Sequence, residues 1–199
     1  MIHLIGLTHR VQAVKIGEVK TAGQAEFDQL LRNAIKEIRP AFIAEEDSEE
    51  ALADPDRNSV SIAQAVARDM GVEHQFCDPI QEERNAIGYV DGQTLQIQIF
   101  LRDQTGMSAD EIKLRGLATE IARYFPLRER FWFDHLPPHR DRDGIFICGD
   151  AHVDTFGFLL TRERVEARAL VRGLGLDERD RDHYRALQYL ADHPELKNG

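Results

Sequence analysis

The sequence predicts an α/β fold, with a mostly parallel central sheet of about five strands flanked by helices. Two observations lead to this prediction. Short apolar runs rich in β-branched and aromatic residues, such as 145–148, are typical of strands buried on both faces of a parallel sheet. Segments with apolar residues at helical spacing follow these runs, so strands and helices alternate along the chain. At 199 residues, the chain is long enough for a single α/β domain with a substantial core.

The first 80 residues show the alternation most clearly. Strands are predicted at 2–7, 41–44 and 72–77, and helices at 21–38 and from Ser59 or Ser61 to Met70. Pro40 ends the first helix and Gly71 ends the second. This β-α-β-α-β order predicts parallel strands with right-handed crossovers. The loop at 10–20 is long enough to act as a lid over the strand ends, and residues 47–58 are expected to be an exposed segment.

A helical insertion is predicted at about 80–140 within the single domain. Apolar residues in 93–101 alternate as in a half-buried strand, but their spacing also fits a helix, and we favour the helix. Ser108 and Glu111 form a capping box that begins a helix through Tyr124, and Pro126 is expected to break it before a helix at 127–136. The remaining predicted elements are a strand at 145–148, a helix at 153–164, a strand at 165–171 and a helix at 177–192.

Charge and composition narrow the functional classes. The net charge of −10 argues against nucleic acid as the main partner, because a phosphate backbone requires a basic surface. No window approaches the ~20 apolar residues of a membrane helix, so no membrane association is expected. The two cysteines, Cys77 and Cys148, end apolar strand-like runs and are expected to be reduced, buried side chains. Together these features predict a cytoplasmic protein.

Two predicted strands finish in the same Gly-x-x-His pattern. One strand leads into Gly6-Leu7-Thr8-His9, and another into Gly149-Asp150-Ala151-His152. Each glycine is expected to allow a sharp turn, which delivers the histidine to the crevice at the carboxyl edge of the sheet. Glu45 and Glu46 end a third strand. Two imidazoles and a carboxylate are a usual ligand set for a catalytic divalent metal with a bound water, so His9, His152 and Glu46, or alternatively Glu45, are predicted to share one site.

Other polar residues are candidates for neighbouring roles. Asp78 ends the strand at 72–77 and is expected to contribute to ligand binding at the same edge. The same ligand-binding role is predicted for Arg10, Glu45, Glu83 and Arg84. On the helix at 127–136, arginine side chains could stabilise an oxyanion, so Arg128, Glu129 and Arg130 are catalytic candidates. The remaining histidines, including His74, are expected to be peripheral.

These motifs resemble the EreA/ChaN-like superfamily, which includes the TraB and Tiki proteins, the erythromycin esterases and the ChaN-like haem-binding lipoproteins. The two Gly-x-x-His motifs and the acidic end of the second strand carry the resemblance, which covers most of the chain. It implies a parallel α/β core and a metal-dependent protease site of the Tiki type at His9, Glu46 or Glu45, and His152. It also matches Arg128-Glu129 to the Arg-acid pair of the erythromycin esterases.

The resemblance implies one of two functions. The first is a hydrolase that acts on a small-molecule or peptide substrate, with a histidine activating water directly or through a divalent metal. The second, from the ChaN-like branch, is a non-catalytic protein in which the same histidines bind haem or a small ligand.

Overall fold

The computed structural model describes residues 1–102, 106–177 and 180–197. Its strands are β1 (Ile2–Leu7), β2 (Ala13–Lys15), β3 (Phe42–Glu45), β4 (Ser59–Ser61), β5 (Glu73–Phe76), β6 (Gly144–Gly149) and β7 (Ala167–Leu174). Five of them form an all-parallel sheet in the order β5-β3-β6-β1-β7. The predicted α/β class and the five-stranded parallel sheet are confirmed.

Nine helices connect or follow these strands in the described part of the chain. They are α1 (Ala22–Ile38), α2 (Glu49–Ala53), α3 (Ile62–Met70), α4 (Gln81–Ala86), α5 (Gly92–Arg102), α6 (Ala109–Thr119), α7 (Phe125–Asp134), α8 (Val153–Arg162) and α9 (Arg181–Asp192). The favoured helix at 93–101 is confirmed by α5. The predicted helix at 177–192 includes residues 178 and 179, which lie outside the described part of the chain, as do residues 103–105 of the insertion.

By their internal contacts the residues divide into two compact units. The first, called the sheet unit, contains residues 1–80 and 130–176, and the second, called the helical unit, contains 81–129 and 177–199. The helical unit begins where the predicted insertion begins, but it ends inside α7 and also includes the C-terminal segment. Among the described residues, no helix combines the length and the hydropathy needed to cross a bilayer.

Local capping explains where the first helices begin and end. The Thr21 side chain accepts from the backbone of Gln24, whose own side chain accepts from the backbone of Thr21. Ser61 caps α3 by accepting from the Gln64 amide, as one of the two predicted alternatives required. Gly71 follows α3 with a φ of 68°, a left-handed conformation that glycine adopts without penalty.

Two apolar layers cover the two faces of the sheet. Alternate strand residues such as Ile5, Ile43 and Ile147 pack with apolar side chains of α1 and α3. The intervening residues, including Leu4 and Phe146, pack on the opposite face with α8 and the last turns of α7. Burial on both faces explains why the central strands read as continuous apolar runs.

Three local predictions are corrected. The loop at 10–20 contains β2, which pairs antiparallel with β4, so part of the expected lid is sheet. The segment at 47–58 is not uniformly exposed, because Asp47 and Leu52 are buried. No break occurs at Pro126, where a π-helical stretch at Glu120–Tyr124 continues directly into α7. The Phe125 amide bonds to the Glu120 carbonyl five residues back, and this widened π turn accommodates Pro126 within a continuous helix.

Replacement of Gly6 by alanine is expected to destabilise the fold. A Cβ atom at this position would lie 2.3 Å from Asp150 Oδ1 and 2.6 Å from Val153 Cγ2, both buried. Overpacking of this kind costs about 1–3 kcal/mol, which urea denaturation would measure. Gly157→Ala in α8 is the matched control, because its Cβ would meet only Leu4 Cδ1 at 3.3 Å. Equal stability of the two variants would contradict the prediction.

The unfolding free energy is expected to fall as the pH is lowered below about 6.5. Burial, followed by the nearby Arg168, lowers the pKa of His3, whose Nδ1 accepts a hydrogen bond from Arg168 Nε at 3.1 Å. Below the usual pKa of histidine, His3 is therefore protonated in the unfolded chain more than in the folded chain. His3→Gln removes this titration, so its pH dependence should be shallower than that of the wild type. Parallel curves for both proteins would refute the assignment.

Candidate active site

The carboxyl ends of three adjacent strands form the candidate active site. β6 is the central strand of the sheet, with β3 on one side and β1 on the other. Residues that follow these strands therefore meet at one edge, where open α/β sheets bind their ligands. His9 begins a 3-10 turn after β1, Glu46 follows β3 directly, and His152 ends a 3-10 turn after β6. The three strands are adjacent in the sheet, which is the condition for a shared site of these residues.

Both histidines converge on one carboxylate oxygen. His9 Nε2 lies 3.5 Å from Glu46 Oε1, and His152 Nε2 lies 3.8 Å from the same atom. The two rings are therefore well within the ~10 Å beyond which two side chains cannot serve one metal or one water. The Glu46 side chain is fully buried and that of His152 is 5% exposed, whereas that of His9 is 54% exposed. Solvent can thus reach the group from the His9 side.

Gly149 keeps space open among these side chains. A Cβ atom at this position would lie 3.2 Å from His9 Nε2, 3.4 Å from Glu46 Oε2 and 3.7 Å from His152 Cδ2. Its amide donates a 2.6 Å hydrogen bond to Glu46 Oε2, which orients the carboxylate. Neither Gly6 nor Gly149 has a positive φ, so a left-handed backbone conformation is not what requires glycine at these positions. A Cβ atom at Gly6 would clash with Asp150 and Val153, whereas one at Gly149 would be in tight contact with His9 Nε2.

The three consecutive acids at the end of β3 have different partners. Glu45 accepts from Gln12 Nε2 at 2.8 Å, from Ser61 Oγ at 2.5 Å and from His74 Nε2 at 2.8 Å. Asp47 forms a two-armed pair with Arg57, although burial raises the pKa of this carboxyl group. Glu46 is the acid that faces the two motif histidines. The geometry therefore distinguishes Glu46 from Glu45, which the sequence alone did not.

A buried chain of hydrogen bonds links Glu45 to His9. Gln12 is fully buried and follows the 3-10 turn that carries His9. Its Nε2 atom donates to Glu45 Oε2 and, at 3.1 Å, to the Glu46 carbonyl oxygen. Its Oε1 atom lies 3.0 Å from His9 Nδ1. The exposed histidine is thus held by a buried scaffold.

His152 is supported by an aromatic wall. Its ring packs edge-on against Trp132, with the ring centroids 4.8 Å apart. Trp132 Nε1 donates a 3.0 Å hydrogen bond to Asp78 Oδ1, and the indole also contacts Phe146 and Phe156. Asp78 was predicted to bind a ligand at this edge, and the structure shows it holding the tryptophan that packs on His152.

Asp150 lies within the second motif, and its side chain forms hydrogen bonds with residues of β7. Its Oδ1 accepts from the Gly173 amide at 2.6 Å and from Arg172 Nε at 3.2 Å. These bonds fasten the start of the motif turn to the end of β7.

Two predicted arginines of the sheet unit lie in different environments. Arg10 is exposed beside His9, and its predicted ligand-binding role stays a prediction. Arg130 pairs with Asp134 at 2.9 Å and with Glu163 at 2.8 Å. Glu163 follows α8, which starts next to His152 and extends about 15 Å. The structure therefore does not bring Arg130 to the two histidines.

The remaining predicted site residues belong to the helical unit. Arg84 and Arg128 both lie over the ring of Tyr89, with guanidinium carbons 5.8 Å and 5.5 Å from its centroid. Glu83 is next to Arg84 on α4, and Glu129 is buried. The predicted roles of these four residues in ligand binding and catalysis stay predictions.

The donor types at the strand edge suit a divalent metal. In a tetrahedral site with bonds of about 2.0–2.1 Å, neighbouring ligand atoms are roughly 3.3 Å apart. The 3.5 Å and 3.8 Å distances at Glu46 Oε1 exceed this by a few tenths of an ångström. In the described ranges, no group of three or more His, Cys, Asp or Glu side chains is arranged so that it could hold a metal ion.

Comparison of the chain with protein-family models, with curated proteins and with solved structures gave no match. Conclusions about function therefore depend on the geometry of the side chains.

Sequence reasoning missed part of the site. Gln12, Ser61 and Trp132 were not identified, and His74 was expected to be peripheral although it bonds to Glu45. One signal was available: consecutive acids that follow an apolar strand need buried donors. His74, on β5, and Ser61, at the N-cap of α3, are such donors.

Proposed function

We propose that this chain is a hydrolase of the EreA/ChaN-like type, in which His9, Glu46 and His152 activate a water molecule at the carboxyl edge of the sheet. The observation that carries the proposal is the convergence of two imidazole Nε2 atoms on one buried carboxylate oxygen. These residues come from three separate strands, and a glycine beside them keeps space free. Such a grouping is typical of sites where water is deprotonated.

The charges of the three groups support proton transfer. A buried carboxylate is costly unless a positive charge or hydrogen bonds compensate it. Glu46 receives the Gly149 amide on Oε2 and faces both imidazoles with Oε1. An imidazole that takes a proton from water would therefore be stabilised by Glu46 as an imidazolium. In this scheme His9, which is exposed, contacts the substrate water, and His152 supports the same carboxylate from the protein interior.

The proposed reaction could use a divalent metal as its cofactor. His9, Glu46 and His152 would hold it, and it would supply a water of lowered pKa. Haem binding is the competing proposal. Metal analysis of the purified protein, together with its ultraviolet-visible spectrum, separates the cases. A stoichiometric divalent ion supports the metal-dependent form, a Soret band favours the haem-binding protein, and neither leaves direct base catalysis by histidine.

Turnover assays on site variants test the proposal. Purified protein, with and without added Zn²⁺ or Mn²⁺, would be assayed on chromogenic esters and a fluorogenic peptide library. Any hydrolysis found in the wild type should fall by about 10²–10⁴-fold in His9→Ala and His152→Ala, the contribution expected of a general base and its support.

His139→Ala is the matched control for these assays. His139 belongs to the same unit but contacts Phe42 and pairs with Glu73, both at the amino ends of their strands. It therefore lies at the edge of the sheet opposite the candidate site. Its loss should leave turnover unchanged. Equal losses in all three variants, or no loss in His9→Ala and His152→Ala, would refute the proposed site.

A further inference from the structure

Gln12 has contacts that determine which nitrogen of His9 carries a proton. We infer that Gln12 is a positioning residue, which holds neutral His9 in the Nδ1–H tautomer and leaves the Nε2 lone pair directed toward Glu46. The functional meaning of this inference rests on the proposed function, because a base or a metal ligand needs that lone pair. The tautomer itself can be measured without any activity.

The orientation of the Gln12 amide is fixed by two oxygen atoms. Its Nε2 lies 2.8 Å from Glu45 Oε2 and 3.1 Å from the Glu46 carbonyl oxygen. A carboxylate and a carbonyl can only accept, so the NH₂ group must face them. A flipped amide would place its oxygen against two oxygens inside the protein. Burial of Gln12 makes such a loss of hydrogen bonds costly.

The orientation of the amide in turn determines the His9 tautomer. With NH₂ directed to Glu45 and Glu46, the amide oxygen faces His9 Nδ1 at 3.0 Å. An amide oxygen cannot donate, so Nδ1 must carry the hydrogen of this bond. In the neutral ring, Nε2 then has a lone pair, and this is the atom 3.5 Å from Glu46 Oε1.

Glu45 anchors the arrangement in the scaffold. Its Oε1 accepts from Ser61 Oγ at 2.5 Å and from His74 Nε2 at 2.8 Å, while Oε2 accepts from Gln12. Ser61 also caps α3, and His74 is part of β5, so two elements of the fold hold the carboxylate. A fully satisfied buried network of this kind is rigid. Glu45 therefore acts on His9 through Gln12 rather than by touching the reacting atoms.

Nitrogen-15 NMR of the histidine rings tests the inference. Long-range ¹H–¹⁵N spectra of the full chain in EDTA, at a pH where His9 is neutral, identify the protonated nitrogen of each ring. His135 and His193 are internal standards for Nδ1–H, because their Nδ1 atoms lie 2.8 Å and 2.9 Å from main-chain carbonyl oxygens. His74 is the standard for Nε2–H, because its Nε2 lies at the hydrogen-bond distance of 2.8 Å from Glu45 Oε1, which can only accept.

The wild type should show His9 predominantly as Nδ1–H. In Gln12→Met, which has a similar length but neither amide group, His9 should shift to Nε2–H or to a mixture, while His135 and His193 remain unchanged. Gln12→Asn, which keeps the amide but is one methylene shorter, replaces it if the methionine variant does not fold. Nε2–H in the wild type, or an unchanged His9 in a folded variant, would overturn the inference. Neither result depends on turnover, so failure of the proposed hydrolase activity is a separate outcome.

Discussion

Glu46→Gln is expected to reduce hydrolysis by about 10²–10⁴-fold while the protein stays folded. The Gly149 amide donates to Oε2, so the oxygen of the new amide would occupy that position. The NH₂ group would then replace Oε1 and point toward the Nε2 atoms of His9 and His152. The substitution therefore removes the negative charge and places a donor where an acceptor had been. Turnover on the best substrate of the wild type measures the effect.

The stability of the same variant gives the control. Glutamine has the same shape as glutamate and keeps an oxygen that can accept from the buried Gly149 amide, so the substitution leaves that donor paired. Circular dichroism and urea denaturation should therefore show a folded protein, so that lost turnover reports chemistry. Wild-type turnover in a folded Glu46→Gln protein would contradict a catalytic role for this carboxylate.

Trp132→Ala is expected to lower the unfolding free energy by about 3–5 kcal/mol. Trp132 is fully buried, and its ring contacts Phe146, Phe156 and His152. Truncation would leave a large cavity on this face of the sheet and remove the donor to Asp78. Because the indole also supports His152, turnover should fall together with stability. Urea denaturation measures the first effect directly.

Trp132→Phe separates packing from hydrogen bonding. Phenylalanine retains most of the apolar contacts but cannot donate to Asp78, whose side chain is buried. Loss of a hydrogen bond to a charged group costs about 1.5–3 kcal/mol, so this variant should fall between the wild type and Trp132→Ala. If Trp132→Ala were as stable as the wild type, the aromatic wall would not support the site as described.

The sequence predicted most of the sheet because its signals are local. Apolar runs with abrupt ends gave the strands, and the positions of Ser61 and Gly71 gave the limits of α3. The small β2–β4 sheet was missed because three-residue strands have no measurable periodicity and depend on pairing between distant segments. The π-helical stretch before Pro126 was missed for a similar reason, since propensity does not distinguish it from an α-helix.

The part of the candidate site that could be predicted is the part that depends on strand order. His9, Glu46 and His152 follow strands that are adjacent in the sheet, so topology brings them together. Gln12, which contacts Glu45 33 residues away along the chain, has no motif that marks it. Glu45 and Glu46 could not be distinguished from the sequence. The site residue is the one whose side chain points to His9 and His152, whereas the other points to Ser61 and His74. That direction is visible only in three dimensions.

A double-mutant cycle on His9 and His152 tests the central claim most directly. Hydrolysis would be measured for the wild type, His9→Ala, His152→Ala and the double variant. Groups that act as one unit give strongly non-additive losses, so the double variant should be about as active as the more damaged single variant. Losses that multiply would show that the two histidines act independently, and this result would contradict a shared site.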